Sequence, residues 1–254
     1  MRLIDGRTKA TEGGPMRRNR SARVRQDNGG DESRSAHRGA SLTGVRERLG
    51  HVFWIGGGSG SGKSTIARRL ADRHGMRLFD TDAAMPGQAR RMPPRQSPYL
   101  REFAAMTMDQ RWVDRSPRAM LDTFHWYRGE GFELIVEDLL GLPADRPVVV
   151  EGFRLLPGLV LPLLARESQS VWLLPTPECR KAVFDARGGR EWGFIAKTGD
   201  PERALQNVLE RDAMFTGRLT EQTRHLGLHV LEVDSTVTEE NLARRVSALF
   251  GLDD

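Results

Sequence analysis

His51-Val-Phe-Trp-Ile55 runs into Gly56-Gly-Gly-Ser-Gly-Ser-Gly-Lys-Ser-Thr65, and this junction decides the fold. The short apolar run is a strand buried on both faces. Glycines end it, and Ser64 to His74 reads as a helix with Ile66, Ala67, Leu70 and Ala71 on one face. Inside the junction, Gly57 to Ser64 fits G-x-x-x-x-G-K-[ST], in the strand-to-helix context this P-loop motif requires. Gly57, Gly58, Ser59, Gly60, Ser61 and Gly62 let the backbone curl so that its N–H groups point at one phosphate. The helix start adds positive potential. Lys63 brings a mobile point charge for the β- and γ-phosphates. The Ser64 hydroxyl suits Mg²⁺, a hard cation that prefers oxygen, and Thr65 is placed for the α-phosphate.

Four further strands follow at Met76–Phe79, Pro147–Val150, Ser170–Leu174 and His229–Val233. Helices are expected from Ser116-Pro117 to about Tyr127, on to Leu140 after the glycines, and over Leu159–Arg166, Thr176–Ala186, Pro201–His225 and Thr238–Phe250. Pro86 to Pro98 reads as loop. Apolar strands alternating with helices predict an α/β fold with a doubly wound, five-stranded parallel sheet.

Composition narrows the setting. The 254 residues are 38% hydrophobic and 29% charged, and no run approaches the ~20 apolar residues that span a bilayer. One cysteine, Cys179, excludes an internal disulfide and a cysteine-based zinc site, which fits a cytoplasmic setting. The net charge of +5 is made of +6 in residues 1–50, with 12 Lys and Arg against 6 Asp and Glu, and −1 in the rest. The rest is nearly neutral, so only this tail offers nucleic acid a basic surface. The tail has no Phe, Trp or Tyr, and disorder is expected there, with one domain over 51–254. Only four cationic residues are lysine, so an arginine needs a placement argument before it counts as a phosphate ligand.

No Asn-Lys-x-Asp or Leu-Ser-Gly-Gly-Gln run occurs, which removes GTPases and transporter ATPases. Together, Gly57–Thr65, Asp80-Thr-Asp82 and Val148-Val-Val-Glu151-Gly152 resemble P-loop small-molecule kinases. The Asp-x-Asp placement is similar to shikimate and gluconate kinases, and the Val-Val-Val-Glu-Gly strand to uridine and pantothenate kinases. The glycine triplet of shikimate kinases after the third strand is missing. The resemblance implies ATP and Mg²⁺, with Lys63 at the transferred phosphate. Asp82 would be the base and Asp80 a ligand to Mg²⁺ water, unless one of the two caps a helix. Ser64 and Glu151 would complete the metal site. The second strand is expected beside the P-loop strand. An Arg-bearing lid over 187–200 would bring Arg187 and Arg190 to the phosphates, joined by Arg211, with Lys197, Arg180 and Arg203 nearby. An acceptor region over 83–140 holds Asp122, His125, Trp126, Arg128 and Glu130, and Arg154 follows the third strand. The expected activity is transfer of phosphate from ATP to a hydroxyl on a small molecule. A nucleoside or nucleotide kinase and a slowly hydrolysing ATP switch stay open as alternatives.

Overall fold

The computed structural model describes residues 41–252. The strands are β1 (Val52–Gly57), β2 (Arg77–Asp80), β3 (Val148–Glu151), β4 (Ser170–Pro175) and β5 (Val230–Val233). All are parallel, in the order β2-β3-β1-β4-β5. The strand order corrects one expectation: β3 lies between β2 and β1. Glu151 stands in register with both Ile55 and Asp80, so the acidic end of β2 still reaches the P-loop edge through β3.

Alternation along the strands builds a core on each face of the sheet. Trp54, Val148, Val150, Trp172 and Leu174 point to one side, where α7 (Phe132–Leu140) and α10 (Pro201–His225) cover them. Phe53, Ile55, Val149, Val171 and Leu173 point to the other, against α2 (Lys63–His74) and α11 (Glu239–Phe250). Trp54 and Trp172 are fully buried. Each such ring contributes roughly 2–3 kcal/mol of burial.

Part of the expected tail is folded. Ser41 caps α1 (Leu42–Arg48), Leu49 enters the core, and Gln169 donates to the carbonyls of Leu49, Gly50 and Val52. Val45 and Leu49, one turn apart, supply the apolar contact that a polar composition hides. Residues 1–40 of that tail lie outside the described residues.

The span from Pro86 to Pro98 begins as helix, not loop. Asp80 caps α3 (Thr81–Arg91), which continues through Pro86, and buried Gln88 and Met92 anchor its far end. A proline inside a helix costs about 3 kcal/mol, so tertiary contacts outweigh local preference here. Two short helices were not foreseen, α4 (Pro98–Ala105) and α5 (Met108–Trp112). The expected helix to Tyr127 divides into α6 (Pro117–Thr123) and a 3₁₀ turn at His125–Arg128. Pro162 likewise splits the stretch after Pro157 into α8 (Pro157–Val160) and a 3₁₀ turn. The helix after β4 is α9 (Pro177–Ala186).

Candidate active site

In a doubly wound sheet the crevice opens where the strand order reverses, at the carboxyl ends of the strands. Here that point is the end of β1, between β3 and β4, and it is where the glycine-rich loop begins. Gly57 has φ +137°, and a Cβ on it would stand 2.0 Å from the Leu173 carbonyl oxygen. No other residue lets β1 turn this close to β4. Gly62 is left-handed and forms the N-terminal boundary of α2, so the loop's curl ends on a helix start.

Lys63 is buried and folds back into this curl. Its Nζ donates to the Gly58 carbonyl at 2.8 Å and to Ser61 Oγ at 3.4 Å, and Ser61 Oγ donates to the same carbonyl. Burial pulls the ammonium pKa down. Glu151, Asp82 and Asp212 oppose that, and Arg187 adds to it.

Glu151 ends β3 at 2% exposure. Burial raises its pKa to about 6, against the pull of Lys63 and the Ser64 hydroxyl. The next residue, Gly152, has φ +150°, and a Cβ there would stand 1.7 Å from Thr81 Oγ1. This close contact locks the exit of β3 against the start of α3, bringing Asp82 to the same mouth as Glu151. Asp82 is solvent-open, yet crowding raises its carboxyl pKa, with Lys63 lowering it and Asp80 raising it further. The other member of the pair has a structural job. Asp80 Oδ1 accepts from the Asp82 N–H at 2.8 Å and the Ala83 N–H at 3.0 Å, so this oxygen caps α3.

The arginines divide by placement. Arg187 closes α9, lies over the Trp192 ring and lines the cleft beside Gly60, Ser61 and Gly62. Arg190 is not among the residues lining that cleft and meets Glu202 at 3.9 Å. Arg211, expected at a phosphate, is buried. It is bound to Asp212 and packed against Trp112, Phe124 and Tyr127. Its apolar neighbours on α10 carried it inward, so it is a core residue. Arg180 is also buried and donates to Thr216 Oγ1. Lys197 is exposed on a 3₁₀ turn at Ile195–Lys197, and Arg203 is exposed near the start of α10.

Beside the loop lies a cleft of about 340 Å³, walled by Ile66, Val183, Val233, Val237 and Leu242 and edged by Thr65 and Asp234. Sequence reading passed over the β5 end. Its position at a strand's carboxyl terminus is the signal that could have found it. Cys179 also lines this cleft, its thiol pKa raised by burial.

The acceptor-region candidates serve mostly as structure. Asp122 pairs with Arg118 and Arg218. Glu130 accepts from the N–H groups of Tyr99 and Leu100 at the start of α4. Arg128 lies over the Tyr99 ring, and Trp126 is buried beneath Arg154. Burial and the nearby Arg154 and Arg111 hold the His125 pKa at about 3, so the ring is neutral across the physiological range. Among the described residues no group of three or more His, Cys, Asp or Glu is arranged to hold a metal, and no helix is long and apolar enough to cross a membrane. A divalent ion delivered by a polyphosphate needs less. A buried carboxylate and a neighbouring hydroxyl, as at Glu151 and Ser64, fit Mg²⁺ that keeps most of its water.

No protein-family model and no curated protein matches the chain. Among solved structures it is similar to deoxyadenosine kinase from M. mycoides with bound dATP, at 12% identity and a TM-score of 0.43, over 79% of this chain and 99% of that one. It is also similar to TT1252 from Thermus thermophilus, at 20% identity and a TM-score of 0.42, over 79% and 96% of the two chains.

Proposed function

We propose that the chain is a Mg²⁺–ATP-dependent phosphotransferase acting on a hydroxyl of a small molecule. One observation carries this reading: where the Gly57–Ser64 loop opens, buried Lys63 lies within electrostatic reach of both Glu151 and Asp82, and Asp82 in turn acts on Glu151. Bound Mg²⁺–ATP would supply the phosphoryl group. The loop amides and Lys63 would hold the phosphates, the ammonium exchanging its bond to the Gly58 carbonyl for phosphate oxygens. Ser64 would meet the ion directly and Glu151 through water. The cleft beside Thr65, with apolar walls and a polar rim, would take the base. Asp82 would accept the proton of the acceptor hydroxyl as its oxygen attacks, and Arg187 would offset charge on the transferred group. Of the arginines in the acceptor region that could clamp a phosphate, Arg91 is paired with Asp138 and Glu137, and mutation of Arg90, Arg95 and Arg101 distinguishes a nucleotide acceptor from a hydroxyl acceptor without a phosphate of its own.

The test is transfer of labelled γ-phosphate from ATP to a panel of nucleosides, nucleotides, sugar acids and amino alcohols. A labelled product is expected, and Asp82→Asn should lower its formation by about 10²-fold or more with Mg²⁺–ATP affinity preserved. Full turnover in Asp82→Asn would remove the base. No transfer to any acceptor would remove the activity.

A further inference from the structure

Arg154 lies three residues beyond Glu151, with its side chain buried at 2% exposure. Its Nη1 donates to the Thr81 carbonyl at 3.3 Å and to Gln88 Oε1 at 2.5 Å, and Nη2 to the Gly131 carbonyl at 3.2 Å. The guanidinium sits 4.1 Å over the Trp126 ring. All four partners are neutral, and among the described residues no carboxylate is in ion-pair contact with this cation. Asp82, Glu133 and Asp138 act on it only at a distance, Asp82 most strongly. A buried guanidinium is expensive to keep unless its donors are satisfied, and here the direct contacts are these neutral groups.

The tethered groups are informative. Thr81 immediately precedes Asp82, Gln88 lies further along the same helix, and Gly131 opens α7. The start of α3 also needs outside support. Pro86 stands four residues after Asp82 and has no N–H, so the Asp82 carbonyl loses its ordinary helical partner. Gly87 follows and weakens the helix again. Gln88 Nε2 donates in turn to Asp138 Oδ2, carrying the tie to α7.

We infer that Arg154 is a positioning residue: its planar fork fixes the start of α3, and with it the Asp82 carboxylate, against the β3 exit that carries Glu151. The consequence for catalysis rests on the phosphotransferase reading above, whereas the tether is tested without it. Arg suits the task because its donors diverge in one plane toward separate carbonyls, while its flat face rests on Trp126. A lysine keeps the charge, but its donors all leave one nitrogen and cannot span the separated acceptors that Nη1 and Nη2 reach.

Two measurements on the full chain decide it. The first is hydrogen exchange of the peptide covering α3, with the α2 peptide as internal reference. Arg154→Lys should speed exchange in α3 about tenfold and leave α2 unchanged. Arg154→Met should do at least as much. If Arg154→Met does not fold, Gln88→Met removes the shortest tether, leaves the guanidinium, and should show the same change at smaller size. The second is steady-state transfer to the panel acceptor that the wild type phosphorylates. Arg154→Lys should lower kcat about tenfold or more with KM for ATP unchanged, since displaced geometry slows chemistry without touching the nucleotide. Wild-type exchange in α3 of a folded Arg154→Lys or Gln88→Met protein overturns the inference. So does a rise in KM for ATP with kcat held. A wild type that phosphorylates nothing sinks the phosphotransferase reading, while the exchange data still decide the tether.

Discussion

Replacing Glu151 with glutamine should make the ligand-free protein more stable. The carboxyl is 2% exposed, and burial lifts its pKa from 4.5 to about 6. The folded state therefore holds protons there more tightly than the unfolded state. Its stability falls as pH rises from about 4.5 through about 6 and stays lower above that. At 1.36 kcal/mol per pKa unit, holding the group ionised at pH 7 costs about 2 kcal/mol, with the help of Lys63 already included. Glutamine has nearly the same shape and no charge, so Glu151→Gln should recover most of that amount. For a domain of this size the gain raises Tm by roughly 4–8 °C at pH 7. Near pH 5 the carboxyl is largely protonated in the folded protein, and the gain should shrink to less than half. Urea unfolding of both proteins at the two pH values reads this directly. The same variant should lose Mg²⁺-dependent turnover, because stability and activity oppose each other where a site holds an uncomfortable charge. A variant less stable than wild type at pH 7, or equally stabilised at both pH values, would refute the argument.

Other substitutions probe the rest of the mouth. Asp80→Ala should cost about 1 kcal/mol of stability as a lost cap, with the Mg²⁺ dependence of turnover unchanged; a shifted Mg²⁺ optimum would restore Asp80 as a metal ligand. Gly152→Ala, whose Cβ would collide with Thr81 Oγ1, should destabilise by about 2–3 kcal/mol in thermal melts, and adding Thr81→Ala should recover part of the loss. In a comparison of the two arginines, Arg187→Ala should lower kcat tenfold or more, whereas Arg190→Ala, whose native side chain meets Glu202 and does not line the cleft, should change it less than twofold. Equal effects of the two arginines would mean that the lid rearranges.

The sheet was legible because its strands are short apolar runs bounded by glycine and proline, a pattern with few competing readings. Strand order was less so. Val148–Val150 is apolar on both faces wherever it sits, so nothing in it says that β3 rather than β2 lies next to β1. The phosphate loop was readable residue by residue, since its chemistry is local. The place of Arg211 is hidden for the opposite reason: its aromatic surroundings come from Trp112, Phe124 and Tyr127, about 85 to 100 positions earlier in the chain. Pro86 misled in the same way, because the contacts of Gln88 with Asp138 and Arg154 that hold its helix are long-range. Asp80 and Asp82 could be told apart only by the backbone amides that one of them accepts from.

Calorimetric titration of Mg²⁺–ATP into the wild-type chain and into Lys63→Ala tests the central claim most directly. The account predicts saturable binding by the wild type, weakened at least tenfold by the substitution, a loss of about 1.4 kcal/mol or more. Absence of binding by the wild type, or equal affinity in the two proteins, would contradict it.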